Sequence, residues 1–510
     1  MIYDDFPYDD FPFRSSHVDV LATVGGLFGL DPAPPECCRV LELGAGLGGN
    51  LLGMAVSFPG SRFVGVDLSG QQMAHARAEV AALGLDNIEF LQADILDLGP
   101  SLGRFDYLLC HGVWSWVPEP VRDAIFQLCR ELLTSRGLAF ISYNTLPGWH
   151  VRGVIRQLLQ RTTPVAGTPA ERAAAARRYL EALATHAPSE RSQIARMIQS
   201  EIELIRPLSD RYLFHEHLAE VNHPVWFSDF LAQAQGHALQ YLGDAELHAT
   251  MPGRYGAQAE AWIQRDEPDL LTLESRLDEV GLRFFRRSLL CHGEARIDRV
   301  LRVERLVGHW FASTLKPGAI EPGQAMSLTF TAPDGFVVST TDLLLAAALT
   351  CLHEEQPGGM PLELLASTAC GRIGRPQAAE DVQGLGKALL ELMARNYVEI
   401  SRSAPRFVRV AGPRPRTSAL VRREARLGKA GVTNLRHVSV GIDSLERSLL
   451  QRMDGSLDRS GLVDAMTDAM AGGEFTLRSN DAPVTDRAVL SEIVDVKLDR
   501  LGQMALLMGE

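Results

Sequence analysis

The sequence predicts an α/β fold whose first 150 residues build a doubly wound, mostly parallel sheet. Three observations predict it. Apolar strand-like runs alternate with helix-periodic segments from Arg39 onward. A glycine-rich turn, GAGLGG, follows the first run, and acidic residues stand at or near the ends of the first three.

The elements follow in order. CRVLELGAGLGGN holds a buried strand at Arg39–Leu43, then the turn, then a helix over 50–57. SRFVGVDLS is a second strand ending at Asp67, and QQMAHARAEVAALGL has helical periodicity. NIEFLQAD is a third strand ending at Asp94, and FDYLLC is a fourth. VRDAIFQLCRELL repeats apolar residues at helical spacing, and GLAFISYN is the fifth strand. Ligands of such sheets bind outside the carboxyl ends of the strands. Those ends carry Gly44–Gly49, Asp67, Asp94, Cys110–Trp116 and Tyr143–Asn144, which form the candidate site.

Which ligand suits these ends? GAGLGG matches G-x-G-x-x-G through Gly44, Gly46 and Gly49, with Asp67 at the distance of a ribose-binding acid. That much fits a dinucleotide equally well. Glu42, inside the first strand, would repel a pyrophosphate but suits an amino-bearing cation. Asp94 adds an acid for an adenine amino group. S-adenosylmethionine has an amino group, a ribose, an adenine and a sulfonium, and no phosphate, so it fits all three acids. The alternative is that Glu42 and Asp94 merely cap helices or face water.

ELGAGLGGN, GVDLS and QAD resemble the first three motifs of class I S-adenosylmethionine-dependent methyltransferases. HGVWSWVPEPVRDA, SYNTLPGWH and the opening FPYDDFPFRSSHVDV resemble a narrower group, the bacterial protein-lysine methyltransferases typified by rickettsial enzymes acting on outer-membrane proteins. Ser16-His17-Val18 stands where that group tends to have Thr-His-Pro. YLFHEHLAEVNHPVWFSDF resembles the group's regulatory domain. The resemblance implies a Rossmann-like methyltransferase sheet, an inserted helical regulatory segment and a C-terminal winged-helix-like domain.

It also implies site residues. Tyr8, His17, Glu42, Gly44, Ala45, Gly46, Gly48, Asn50, Asp67, Leu68, Asp94, Ile95 and His111 would hold the donor. His111, Trp114, Trp116, Tyr143 and Asn144 would face the acceptor, with His150 as a further proton relay. Two of only six tryptophans flank the fourth strand's end, so Trp114 is expected to line the site. Trp116 either lines it or packs the next helix, and Asn144 either contacts substrate or closes a turn. Tyr8 and His17 either cover the donor as a lid or anchor the N-terminal arm.

Composition bounds the rest. A chain of 510 residues, 46% hydrophobic and 22% charged, suggests two to four globular domains. A net charge of −13 argues against general nucleic-acid affinity, although PRPRTSALVRREAR is locally basic. Seven scattered cysteines suit reduced thiols, and no run has the length of a membrane span. MIYDDFPYDDFPF is acidic where a secretory signal is basic and then apolar. A cytoplasmic location follows as the expectation.

Residues 151–300 read as a helical cap and regulatory segment that completes the sheet with antiparallel sixth and seventh strands. Residues 301–412 read as winged-helix-like: a β-rich piece at 325–339, three helices, then YVEIS and RFVRV as a hairpin. Residues 413–510 read as a helical domain. His215, Glu216, His217 and His223 lack the i, i+4 spacing of a helical metal pair, so no metal is expected.

The leading function is methylation of lysine side chains in a polypeptide, for which an outer-membrane or envelope protein is a candidate. The alternatives are a methyltransferase for a small molecule or modified peptide, and a donor-binding regulator without turnover. Partners are the polypeptide and a second copy of the chain as a homodimer, with no nucleic acid and no membrane.

Overall fold

The computed structural model describes residues 4, 6–8, 10–186, 192–318, 328–479, 482–483 and 486–509. Residues 325–327 of the expected β-rich piece lie outside that set, as do 187 and 191 beside the cap helices.

Seven strands form the main sheet: β1 (Arg39–Leu43), β2 (Arg62–Asp67), β3 (Ile88–Gln92), β4 (Phe105–Cys110), β5 (Leu133–Asn144), β6 (Leu239–Asp244) and β7 (Phe285–His292). Their order is β3-β2-β1-β4-β5-β7-β6. β1 to β5 pair in parallel, and β7 is antiparallel to both β5 and β6. β6 therefore runs with the first five strands, and only β7 is reversed, not both as the sequence suggested. The central strands are apolar along their length because helices cover both faces. One face is packed by α1 (Val18–Leu27), α2 (Gly49–Ser57) and α3 (Gly70–Leu83), and the other by α4 (Glu119–Leu132).

α2 starts abruptly because Gly48 sits at φ +89°, and a Cβ there would come within 2.6 Å of Phe90. α3 starts on the Ser69 hydroxyl, which accepts from Gln72 N at 3.1 Å, and ends at Gly84 in the left-handed region. Local sequence signals place both helices, and with them the turn.

The cap comprises α5 (Trp149–Thr162), α6 (Pro169–His186), α7 (Gln193–Ile205) and α8 (Asp210–His217), joined through Ile155, Leu159, Leu180, Ile202 and Phe214. The chain then re-enters the sheet through α9 (Phe227–Gly236) and β6. β7 is anchored by Arg286, fully buried, whose guanidinium pairs with Glu274 at 3.0 Å and Asp278 at 2.8 Å. Buried charges persist only when paired in this way.

Over 301–412 the three expected helices form at Leu343–Glu354, Leu362–Arg372 and Ala379–Ala394. Val398–Ser401 is a strand, but it pairs with Trp310–Ser313, and 406–410 does not form the second arm of a hairpin. Residues 413–509 build a separate core from helices Ala419–Arg426, Ser444–Arg452, Arg459–Ala471 and Arg487–Gln503. The basic stretch leads into the first of these and ends with it, and its Arg423 pairs with Glu79 of α3 at 2.9 Å. No helix among the described residues is long and apolar enough to cross a membrane.

Candidate functional site

The carboxyl ends of β1, β2 and β4 meet around the glycine turn. Gly44 N and Ala45 N donate to Val66 O at 2.8 and 3.0 Å, which folds the turn back across β2. Asp67 closes it, accepting from Gly46 N at 3.0 Å and from Ser69 N at 2.9 Å. Glu42 is 3% exposed, and its Oε1 accepts from Asn50 Nδ2 at 2.7 Å. Its other oxygen is buried and has no hydrogen-bond partner among the described residues.

Burial pushes the Glu42 carboxyl up to about 8, against the bond from Asn50; Asp10 and Asp67 push the same way. A carboxyl held protonated in this way ionises on the arrival of a cationic amine. That orphaned oxygen, beside an acid that already holds the turn, suits an amino- and ribose-bearing ligand without phosphate.

Leu68 is exposed just past β2, and Ile95 is half-buried past β3. Asp94 lies two residues beyond β3 and caps a short turn, accepting from Leu96 N at 3.0 Å. It is near the rim, in the capping arrangement that was the alternative to an adenine contact.

His111 follows β4. Its Nδ1 lies 3.0 Å from Ser142 Oγ, its ring packs on Phe13 at 3.9 Å, and Phe285 stands edge-on at 6.2 Å. Burial, with a contribution from Arg287, pulls its pKa down to about 3, so the imidazole is neutral. Trp114 and Tyr143 do not share this opening. The short 3-10 turn Trp114–Trp116 rotates Trp114 inward, fully buried at 5.4 Å from Phe230 and 5.6 Å from Tyr143. Tyr143 stacks on Phe230 at 3.9 Å, and its hydroxyl lies 3.1 Å from Ser288 Oγ. Both expectations are corrected: these rings are core.

Trp116 is half-buried, 6.3 Å from Trp149 and under the Arg156 guanidinium, which ties β4's loop to α5. Asn144 is buried, and its side-chain amide donates to Asn222 Oδ1 at 2.8 Å. His150 packs near Trp226 at 6.2 Å.

The N-terminal arm was visible only as an aromatic segment. Asp10 accepts from Gly49 N at 2.8 Å, and Phe13 N donates to Asn50 Oδ1 at 3.0 Å, so both residues seat on the turn. Tyr8 reaches the cap instead, donating to Glu216 Oε1 at 3.1 Å. His17 caps α1, accepting from Asp19 N, and packs on Phe58 and His437 at 5.5 and 4.9 Å. It contacts the C-terminal part of the chain, not the strand ends, which corrects its expected place over the donor. Asp10, Phe13, Ser142, Phe285 and His437 are the rim residues that sequence reasoning missed. Only the aromatic bias of FPYDDFPF hinted at any of them.

Comparison with known proteins agrees with this geometry. Residues 40–137 match a family model described as a methyltransferase domain. Residues 209–292 match a predicted methyltransferase regulatory domain. Residues 413–506 match the PKMT C-terminal winged helix domain, so that domain lies in the segment expected to be simply helical. The chain is 32% identical over 485 residues to the uncharacterized protein RP789 of Rickettsia prowazekii, covering 93% of this chain and 87% of that one. It is similar throughout to PKMT2 from Rickettsia typhi, with a TM-score of 0.89 at 29% identity over 98% of this chain and all of that one. The structure of PKMT2 in complex with AdoHcy matches with a TM-score of 0.87, again at 29% identity, over 99% of this chain and all of that one.

Proposed function

The chain belongs to the S-adenosylmethionine-dependent methyltransferases that join a methyltransferase domain to a regulatory domain and a PKMT winged-helix domain, and from that premise we propose that it methylates lysine side chains of a polypeptide. The observation that carries this reading is the likeness to PKMT2 over the whole length, well beyond the methyltransferase domain.

S-adenosylmethionine supplies the methyl group. In our reading the Glu42 carboxylate meets its amino group, Asp67 its ribose, and Leu68, Asp94 and Ile95 border its adenine. The glycine turn with Ala45, and Asn50 through Glu42, set the floor. The acceptor nitrogen approaches past His111, with Phe13 and Phe285 as the aromatic walls in place of Trp114 and Tyr143. Transfer is an in-line displacement at the methyl carbon, so alignment dominates the barrier. A lysine with an ordinary pKa must first lose a proton, at a cost of roughly 4–5 kcal/mol at pH 7. Apolar walls that strip water from the ammonium reduce that cost.

The large non-catalytic portion suits a macromolecular substrate, and an envelope protein remains the candidate. The exposed Ile194, Met197 and Leu204 on α7 support a second copy of the chain as partner. A cytoplasmic location accords with seven unpaired cysteines.

The test is incubation of the full chain with methyl-labelled S-adenosylmethionine and a lysate of its own organism, followed by mass spectrometry. Methylated lysine in a protein band is expected. Label confined to small metabolites overturns the proposal.

A further inference from the structure

A cation already sits beside His111, and it belongs to the chain itself. β7 runs antiparallel to β5 with Phe285 opposite Asn144 and Arg287 opposite Ser142. Residues opposite one another share a face of the sheet, with Cβ atoms about 5 Å apart, and so do residues two apart on one strand. Phe285 and Arg287 therefore stand together beside Ser142, whose Oγ lies 3.0 Å from His111 Nδ1. The Phe285 ring is itself 6.2 Å from the His111 ring, edge to face.

Arg287 makes two side-chain contacts there. Its guanidinium lies over the Phe285 ring, 5.0 Å from the centroid, and Nη1 donates to Glu246 Oε2 at 2.9 Å. An aromatic face and a carboxylate are the groups that also hold an alkylammonium ion. Both members of the ion pair are open to solvent, Arg287 at 28% and Glu246 at 37%, so a cation from outside can reach the carboxylate.

We propose that Glu246 and Phe285 form the entry seat for the lysine ammonium of the substrate, a seat that Arg287 fills as a stand-in until the substrate displaces it. This rests on the lysine reading above, and it names the residues that recruit the acceptor before it passes His111.

The neighbouring charges are committed elsewhere. Asp244 is buried; its Oδ2 accepts from Arg287 N at 3.2 Å and lies 3.6 Å from Arg283, and its Oδ1 accepts from Glu246 N at 3.0 Å. Arg283 also pairs with Asp278 at 3.4 Å and donates to Ala249 O. Burial pulls His248 down to about 4, so it does not compete as a cation. Partial burial raises the Glu246 carboxyl and Arg287 opposes that rise, with smaller effects from Asp244, Arg254 and Arg283. When Arg287 leaves, the carboxylate gains from another cation in its place.

Arginine suits this part. A guanidinium stays protonated across the working pH range, so it can rest near the donor without competing as a free amine. A lysine in the same place would be an acceptor. The chain carries four lysines against 46 arginines, and none precedes Lys316, so the sheet and the cap hold no amine side chain of their own.

The test measures initial rates of protein labelling by methyl-labelled S-adenosylmethionine against the concentration of the organism's lysate protein. It compares wild type, Arg287→Ala and Glu246→Gln as full chains, with S-adenosylhomocysteine affinity and the thermal midpoint as controls. Arg287→Ala empties the seat, so the half-saturating concentration should fall at least threefold. Glu246→Gln removes the carboxylate, so it should rise at least fivefold with the plateau rate within twofold of wild type. A merely structural ion pair would move both variants in the same direction. n-Butylammonium, as a probe of the seat, should compete with lysate protein on wild type and compete more strongly on Arg287→Ala. If wild type labels proteins but the two variants shift together or not at all, or the probe does not compete, the inference is overturned while the lysine reading stands. If wild type labels no protein, the lysine reading fails and takes the inference with it.

Discussion

His437 Nε2 donates to Asn50 Oδ1 at 2.9 Å, joining a loop of the C-terminal domain to the first turn of α2. Asn50 passes the contact on, since its amide nitrogen donates to Glu42 at 2.7 Å. Burial, with Arg14 nearby, pulls the imidazole down to about 3, so this link is neutral across the physiological range. His437→Ala should therefore weaken donor binding at a site it never touches. The loss of one buried hydrogen bond is worth about 1 kcal/mol, or roughly fivefold in affinity. Calorimetric titration with S-adenosylmethionine checks this, and affinity equal to wild type would show that Asn50 holds Glu42 unaided.

Glu42 makes the empty chain pH-sensitive. Its folded pKa, about 8, stands above its ordinary value, so the folded state binds the extra proton between the two. Stability of the ligand-free chain is then lost as pH rises through that window, by about 1.4 kcal/mol for each unit of displacement. Glu42→Gln should raise the melting temperature at pH 8 and leave it nearly unchanged near pH 4.5. Donor affinity of the wild type should climb with pH towards 8, with proton release detectable by calorimetry in buffers of different ionisation enthalpy. An affinity independent of pH would contradict an ionised Glu42 in the complex.

Asp67 accepts from Gly46 N and Ser69 N, and in our proposal it also holds the ribose. Asp67→Ala should reduce donor affinity at least tenfold, in line with loss of charge-assisted bonds of about 1.5–3 kcal/mol. Unchanged affinity would exclude it from the donor site.

Trp114→Ala should act on folding before it acts on catalysis. The ring is fully buried against Phe126, Tyr143 and Phe230, and truncating a buried tryptophan costs roughly 3–5 kcal/mol. Denaturant melts would show it. Trp114→Phe, which keeps most of the ring volume, should bind S-adenosylmethionine like wild type.

The donor turn was legible because its signals are local. Glu42, the glycines, Asp67 and Asp94 fall within one stretch of alternating strands and helices, and periodicity alone carries them to a common edge. The acceptor end was misread because Trp114 and His111 are only three residues apart and yet pack on different rings, the chain entering at Trp114 a short 3-10 turn that no periodicity announces. Contacts such as His437 to Asn50 and Tyr8 to Glu216 join positions hundreds of residues apart, and one sequence holds no record of such pairings. The small domains were harder still. Short helices with similar apolar spacing recur over 301–412 and 413–509, so spacing did not distinguish which of them carries the winged helix.

The N-terminal arm has partners that are synthesised long after it. Arg14 pairs with Glu399 at 3.1 Å and donates to Arg436 O at 3.0 Å, and Asp10 receives Lys429 at 3.4 Å. On the ribosome the main sheet has all its strands once His292 has emerged, because domains fold as units during synthesis. Its front edge must nevertheless wait for some 150 further residues before those three contacts exist. A nascent or truncated chain would thus carry a finished scaffold with an unlatched entrance until the segment through Arg436 has emerged.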